Sequence, residues 1–267
     1  MIRMAIFKNK DFFSKLAARK PDAVTIAKQT AKTLFTKPTL TGAAASAAVH
    51  VASIGAASAI NNVFSRAAKK TSKPNMALAQ QLARKFEDTY NLGRVPLVPT
   101  KDARVPSSDI YKEDGKVKYR ILVPVNPDPT KAQIDDPAVY LHELGHIKGH
   151  KERSSTFKAL RNAREGYGWK TGIITAASTL GNAPNLGSAV IGLMEVPLVV
   201  EEWRASKDAL KFLSQNAPKE ESARARKLLK SLHNTYVVSG VQKAVTPFIS
   251  SAVFSHVRSK MMAKKKK

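Results

Sequence analysis

The chain has 267 residues, 43% of them hydrophobic, and a formal net charge of +25 at pH 7. This composition excludes a largely disordered chain, because it supplies enough apolar residues for a sizeable core. The sequence contains no cysteine, which excludes disulfides, thiolate metal ligands and a cysteine nucleophile. The charge favours an anionic partner, either the phosphates of a nucleic acid or an anionic membrane surface, and does not choose between them.

The first 37 residues form a basic arm, with nine Lys or Arg residues against Asp11 and Asp22. Three interpretations fit this pattern: an amphipathic helix on a membrane surface, a mitochondrial-type presequence, or a solvated arm. An ordinary secretory signal is not expected, since residues 1–20 lack an uninterrupted apolar core and a small-residue cleavage site.

An Ala-rich apolar helix is predicted next, over residues 38–65, a run of 28 residues without a formal charge. The run is long enough to cross a bilayer. Its Ala, Ser, Gly and Thr content makes insertion energetically marginal, so a bilayer helix and a buried helix of a soluble core are both open. A linker follows, up to residue 74.

The next segment combines a helix with a small β portion. Apolar residues four apart from Leu78 to Phe86 predict an amphipathic helix that ends near Gly93. Residues 94–125 are predicted to be extended, with an Asp-Gly turn signal that divides them into a hairpin. The strand over residues 118–123 is the candidate to bind a substrate as an added strand; the alternative is a hairpin that only covers the core.

The motif that carries chemistry is His142-Glu143-x-x-His146, the signature of zinc proteases. On a helix, residues four apart share a face, so both imidazoles can reach one ion. Glu143 is placed to act as a general base on the water that zinc activates and is not expected to be a ligand. Composition alone predicts roughly 0.005 chance matches to this pattern in the chain, which favours the zinc interpretation over an ordinary amphipathic helix.

The sequence also predicts where this helix begins and stops, and it limits which nearby residues can be the third zinc ligand. Asp136 is predicted to cap the helix, Pro137 to open it and Gly149 to stop it. His150 is excluded as a ligand, because on a continuous helix it lies about 6 Å beyond the second histidine along the axis. Glu152 is a possible ligand only if the chain turns back after the glycine, as in metzincins.

Beyond the zinc helix, residues 171–194 carry no charge and are interrupted at residues 182–185. Because all ligands must meet at one ion, a single membrane crossing here is excluded, and an apolar hairpin over residues 171–200 is predicted. A charged helix through Lys230 and a final apolar stretch to Val257 follow.

The order of these parts resembles the YugP-type neutral zinc metallopeptidases, gluzincins that are distantly similar to HtpX-like membrane proteases. The likeness covers roughly residues 75–255 and is carried by the H-E-x-G-H element that ends at His146, by the E-x-x-A-S-K element that begins at Glu202, and by residues 223–236.

The resemblance implies a membrane-associated zinc endopeptidase in which Glu202 is the third ligand. Ser206, one turn further along a helix, would orient a ligand. The neighbouring Glu201 is expected to be solvated. His233 or Tyr236 could stabilise an oxyanion, although packing roles are also open to both.

We therefore expect a mainly α protein with a small β-hairpin or sheet (α+β), and a zincin-like core with Ala-rich apolar helices. The expected function is zinc-dependent hydrolysis of peptide or protein substrates, with Zn²⁺ as the cofactor, at an anionic membrane surface or otherwise in the cytoplasm. The alternative is a catalytically silent basic structural or nucleic-acid-binding protein that retains the fold; no recognised nucleic-acid module favours it. The predicted segments are a basic arm (1–37), an apolar helix with its linker (38–74), a metallopeptidase domain (75–257) and a basic tail (258–267), of which residues 261–267 are expected to be disordered.

Overall fold

A computed structural model describes residues 37–102, 105–128, 131–152, 173–175 and 184–264. In this part of the chain the protein is mainly helical with one small sheet, which confirms the α+β expectation at the level of fold class. The predicted arm lies outside the described residues except for Lys37. The elements are α1 (Lys37–Thr71), α2 (Met76–Thr89), β1 (Leu97–Thr100), β2 (Ser107–Glu113), β3 (Lys116–Pro124), α3 (Pro137–Glu152), α4 (Pro184–Asn216) and α5 (Lys219–Lys264).

The chain divides into two compact units. The described part of the first comprises residues 37–48, at the start of α1, and residues 252–264, at the end of α5. These two helix ends pack closely: a Cβ added to Gly42 would lie 3.0 Å from Cδ2 of Phe254. The second unit, Val49–Ser251, contains the sheet, the zinc-motif helix and all the candidate site residues.

The sheet has the strand order β1-β3-β2, with β1 parallel and β2 antiparallel to β3. The predicted hairpin is confirmed: Asp114 and Gly115 form the two-residue turn with φ angles of 52° and 72°, which glycine adopts without strain. The candidate substrate strand, residues 118–123, is only partly free to bind an added strand. It belongs to β3, where residues 121–123 pair with β1 on one side and β2 on the other, so they cannot take up an added strand, whereas residues 118–120 pair with β2 only.

The zinc-motif helix α3 is surrounded by the core of this unit. Its apolar side chains pack among α2, α4 and α5, and Phe86 meets Phe212 edge to face, with ring centroids 5.0 Å apart. The fully buried large side chains in this core are Phe86, Ile121, Leu141, Leu144, Ile147, Phe212, Leu213, Leu228 and Leu229. Burial on most sides of α3 fixes the direction in which its histidines project.

The predicted start of α3 is confirmed by its hydrogen bonds. Asp136 Oδ1 accepts from the Ala138 N–H at 2.9 Å, so the carboxylate caps the helix. The same buried carboxylate accepts from the Lys73 N–H at 2.8 Å and forms an ion pair with Arg224 at 2.7 Å. The end of the helix differs from the prediction, because Gly149 stays helical and the helix continues to Glu152.

In the described residues, the apolar segments beyond α3 lie on two long helices. Part of the hairpin over residues 171–200 falls outside the described residues, and residues 184–200 form the first half of α4, which continues through Pro197 to Asn216. The predicted charged helix through Lys230 is divided between α4, which runs to Asn216, and α5, which starts at Lys219. The last apolar stretch and part of the predicted tail also belong to α5. Thr41–Thr71 and Lys219–Lys264 are each long and apolar enough to cross a membrane.

Candidate metal centre

Three buried side chains from two helices bring their ligand atoms together. His142 Nε2 lies 3.1 Å from Glu202 Oε2 and 3.1 Å from His146 Nε2, and the third side of this triangle, His146 Nε2 to Glu202 Oε2, is 3.5 Å. Zinc ligands lie roughly 2.0–2.1 Å from the ion. A tetrahedron of that size has edges of about 3.3–3.4 Å, so the donor triangle fits a tetrahedral ion with one position left for water. These residues could hold a metal ion.

The other ring nitrogen of each histidine also has a partner. Ser206 Oγ lies 3.1 Å from Nδ1 of His142, and Glu201 Oε1 lies 3.4 Å from Nδ1 of His146. A histidine that binds a metal usually donates the N–H of its second ring nitrogen to a neighbouring acceptor, which leaves Nε2 free for the ion. The tautomers are assigned from these contacts. The predicted role of Glu201 was wrong: it is not solvated but only 5% exposed, because the face of α4 that carries it lies against α3.

A close helix crossing places Glu202 opposite the histidines. A Cβ on Gly145 would lie 2.7 Å from the carbonyl oxygen of Ala205 and 2.9 Å from its Cα, distances that real side chains do not tolerate. Gly145 on α3 and Ala205 on α4 thus allow the two backbones to touch. Ala205 is three residues after Glu202 and one before Ser206. The contact at Ala205 therefore fixes where these two side chains lie along α4 relative to the histidines.

Glu143 faces the same centre without joining the ligand triangle. Its Oε2 accepts a hydrogen bond from the Ser108 N–H of β2 at 2.7 Å. Burial raises the pKa of Glu143 above its ordinary value, while the neighbouring histidines and this hydrogen bond act in the opposite direction. Glu143, His146, Glu202 and Tyr236 line a cavity of about 230 Å³ together with Ser108. The carboxylate therefore borders a space that a reacting group could occupy.

The electrostatics of the centre favour a positive charge. Burial acts to lower the pKa of His146, but hydrogen bonds to Glu201 and Glu202 raise it to about 10. Burial acts to raise the pKa of Glu202, yet hydrogen bonds to His142 and His146 hold that pKa well below its usual range. Both shifts have one cause, two carboxylates facing two imidazoles in a buried space. A divalent cation would supply the same positive charge.

The alternative ligands lie elsewhere. Glu152 is exposed and forms an ion pair with Lys148 at 3.0 Å, one turn back on the same helix. His150 is beside Tyr119, with its Nδ1 3.5 Å from the phenolic oxygen. Since α3 continues without a turn at Gly149, neither residue returns to the histidine pair.

The two candidate oxyanion donors lie on α5, in different surroundings. Tyr236 lines the cavity beside Glu143. His233 lines a second cavity together with Ser206, and burial lowers the pKa of His233, on which the charges of Glu202 and His142 also act. Of the two, Tyr236 shares the space next to the general-base candidate.

No family model matches this chain, and comparisons with curated proteins and with solved structures find no match either.

Proposed function

We propose that this protein is a zinc-dependent metallopeptidase of the gluzincin type, as its resemblance to the YugP-type enzymes implies. One observation carries the proposal: Glu202, distant in sequence, meets His142 and His146 in a buried triangle whose edges fit a tetrahedral ion. Nitrogen and carboxylate ligands in this combination suit zinc, and three protein ligands with an open fourth position are typical of a catalytic rather than a structural site.

Zinc, when bound, supplies Lewis acidity that activates water near neutral pH and polarises a carbonyl group. Glu143 accepts a proton from the attacking water and returns it to the leaving amine. Its carboxylate borders the cavity beside the donor triangle, where an attacking water would lie. Tyr236 lines the same cavity and is the proposed hydroxyl donor to the developing oxyanion.

The outer edge of β2 is the proposed binding strand for the substrate. The Ser108 N–H points away from β3 and donates to Glu143. Because every second residue of a strand directs its backbone N–H and C=O to the same edge, those of Ile110 and Lys112 also face this outer edge. In the described part of the chain no strand pairs with this edge. A peptide added here as a strand would run past Glu143 with its backbone held by hydrogen bonds.

Three single variants test the proposal. Glu143→Gln should keep stoichiometric zinc and lose peptide hydrolysis by at least about 10²–10⁴-fold, because it removes only the general base. Glu202→Ala should lose both zinc and activity, whereas Glu152→Ala, which removes an exposed glutamate outside the triangle, should keep both. The measurements are metal content after dialysis and cleavage of casein with and without a chelator. Stoichiometric, tightly held zinc in Glu202→Ala would contradict the gluzincin assignment.

A further inference from the structure

A second cavity of about 420 Å³ lies between α4 and α5, beside the metal centre. Four cationic side chains line it, Lys207 and Lys211 from α4 and Arg226 and Lys230 from α5, and no acidic residue does. Its volume falls within the usual range of ligand pockets, about 300–1,000 Å³.

These four cations differ from other basic residues nearby. Lys148 is paired with Asp208, and Arg224 is paired with Asp136 and Glu221. Within the described part of the chain, the four cavity cations form no ion pair with a carboxylate. Surface lysines are often merely solvated, but here they surround a concavity, where their charges add at one place. The cavity therefore offers a concentrated positive potential to an anion.

The cavity also has an aromatic wall. Trp203 is about half exposed and lies beside Lys207, whose Nζ is 4.9 Å from the indole ring centroid. Leu210 and Leu229 add apolar surface to the lining. A wall of this kind accommodates the methylene groups of a bound side chain while the cations take its charged end.

Its position ties the cavity to the metal centre. Ser206, which lines it, is the residue whose hydroxyl contacts His142. Ser206 lies one helical turn beyond Glu202, a rise of about 6 Å, which corresponds to about two residues of an extended peptide at roughly 3.3 Å each. The cationic cavity therefore begins about one helical turn from Glu202, on the side of His142 that carries Nδ1.

We propose that the cationic cavity is a specificity subsite that binds a carboxylate of the peptide substrate, and that the protein prefers acidic peptides. This inference rests on the proposed peptidase function and adds the substrate class. The carboxylate is either an aspartate or glutamate side chain near the scissile bond or the carboxyl terminus of a short peptide. A concave site next to the ligand triangle favours a peptide over a lipid headgroup or a nucleic acid backbone, which bind along open basic surfaces.

The test measures binding without turnover. The full-length, zinc-loaded Glu143→Gln protein is titrated with fluorescent ten-residue peptides, and binding is followed by anisotropy at low salt. One peptide carries glutamates and blocked ends, the second has glutamine at the same positions, and the third is the glutamine peptide with a free carboxyl terminus. We expect the glutamate peptide or the free-terminus peptide to bind roughly tenfold more tightly than the blocked glutamine peptide. Which of the two does so identifies the source of the carboxylate.

Variants assign the preference to the cavity. The double variant Lys207→Gln/Lys230→Gln should bind all three peptides with nearly equal affinity. Lys227→Gln is the matched control. Lys227 is an exposed lysine on α5, like Lys230, but lies outside the cavity, so this variant should keep the preference for the carboxylate peptide. Equal affinities in the parent protein, or a preference that survives the double variant, would overturn the proposal.

Two further measurements test the proposal: binding of other anions to the cavity, and peptide cleavage by the wild-type protein. If a single-stranded oligonucleotide or anionic vesicles bind in a manner that the double variant abolishes while the peptides show no charge preference, the cavity serves that other partner and the proposal is wrong. If the wild-type protein hydrolyses the glutamate and glutamine peptides equally well, the peptidase function stands and the acidic specificity fails. If the wild-type zinc protein cleaves no peptide, the peptidase function fails on its own measurement.

Discussion

At the residue scale, two adjacent glutamates on α4 have different roles. Glu202 Oε2 completes the donor triangle, and Glu201 contacts the far nitrogen of His146. Consecutive residues of a helix point about 100° apart, so one turn of α4 can face two histidines that are themselves one turn apart on α3. The pair thus fixes both the ligand set and the orientation of one ligand ring.

We predict that Glu201→Gln folds normally and holds zinc about tenfold more weakly. The amide still accepts a hydrogen bond from His146, but the negative charge that makes this imidazole more basic is lost; such changes commonly cost about 10–100-fold in metal affinity. The measurement is a zinc titration against a chelator of known affinity. Glu152→Gln, an exposed glutamate of α3, is the control. Unchanged affinity in Glu201→Gln would show that the contact with His146 is incidental.

The histidine spacing could be read from the sequence because it is local: both imidazoles and Glu143 follow from one helical turn. The burial of Glu201 could not, since it depends on how closely α4 crosses α3. One signal was present, namely that Ala205 and Gly145 are both small, as a close crossing requires. Only the three-dimensional pairing shows that these two residues face each other.

At the element scale, the contact between α3 and α4 has a backbone-to-backbone distance that only glycine allows at position 145. We predict that Gly145→Ala pushes α4 away, lowers the free energy of unfolding by about 1–3 kcal/mol and weakens zinc binding, because Glu202 moves with the helix. Thermal unfolding and metal content are the measurements.

The control for this variant is Gly55→Ala. Gly55 is also in the middle of a helix, but a Cβ there meets nothing within 4 Å. Alanine at an exposed helical position is favoured over glycine by up to about 1 kcal/mol, so this variant should be neutral or slightly more stable. Equal behaviour of the two variants would refute a special role for the crossing at Gly145.

The β portion shows which part of an element-level prediction depends on local signals. The turn at Asp114 and Gly115 was predictable because its residue types demand positive φ angles. The central position of β3 was not, because it results from parallel pairing with β1, a contact between distant segments. The outer edge of β2 beside Glu143 could therefore be identified only from the structure.

At the scale of the whole molecule, the second unit combines a well-packed core around the candidate metal centre with helices that expose many apolar side chains. Val51 on α1, Leu193 on α4 and Val241 on α5 are each more than half exposed. The same helices also contain a polar contact: Lys243 Nζ meets the buried Glu195 Oε1 at 3.1 Å. This ion pair is half-buried, and together with the 3.6 Å distance from a Cβ on Gly240 to Cβ of Glu195 it shows that α4 and α5 pack on each other.

We propose that the exposed apolar faces contact a membrane and that the basic residues assist at an anionic surface. The sequence left open whether the Ala-rich helix is buried in a soluble core. In the structure, only 6% of its most apolar window is buried, which argues against a soluble-core helix. A large number of exposed apolar side chains on the same helices is consistent with contact with a lipid surface.

Charge introduced into that surface provides the test. We predict that Leu193→Lys, at a residue that is 71% exposed, reduces recovery of the protein with liposomes in flotation, because lysine in the apolar region of a bilayer costs up to about 2.5–3.5 kcal/mol relative to water. The fold should persist, since the side chain leaves little packing behind. Val117→Lys is the matched control, because this valine is 45% exposed and belongs to the strand β3 rather than to one of the apolar helices. Its replacement should leave flotation unchanged. Liposomes that contain anionic lipid are compared with neutral ones, at low and high salt, to separate the apolar contribution from the electrostatic one. Flotation that is equal in all three proteins, or wild-type protein that stays soluble and monomeric without detergent at low salt, would show that the exposed faces do not contact lipid.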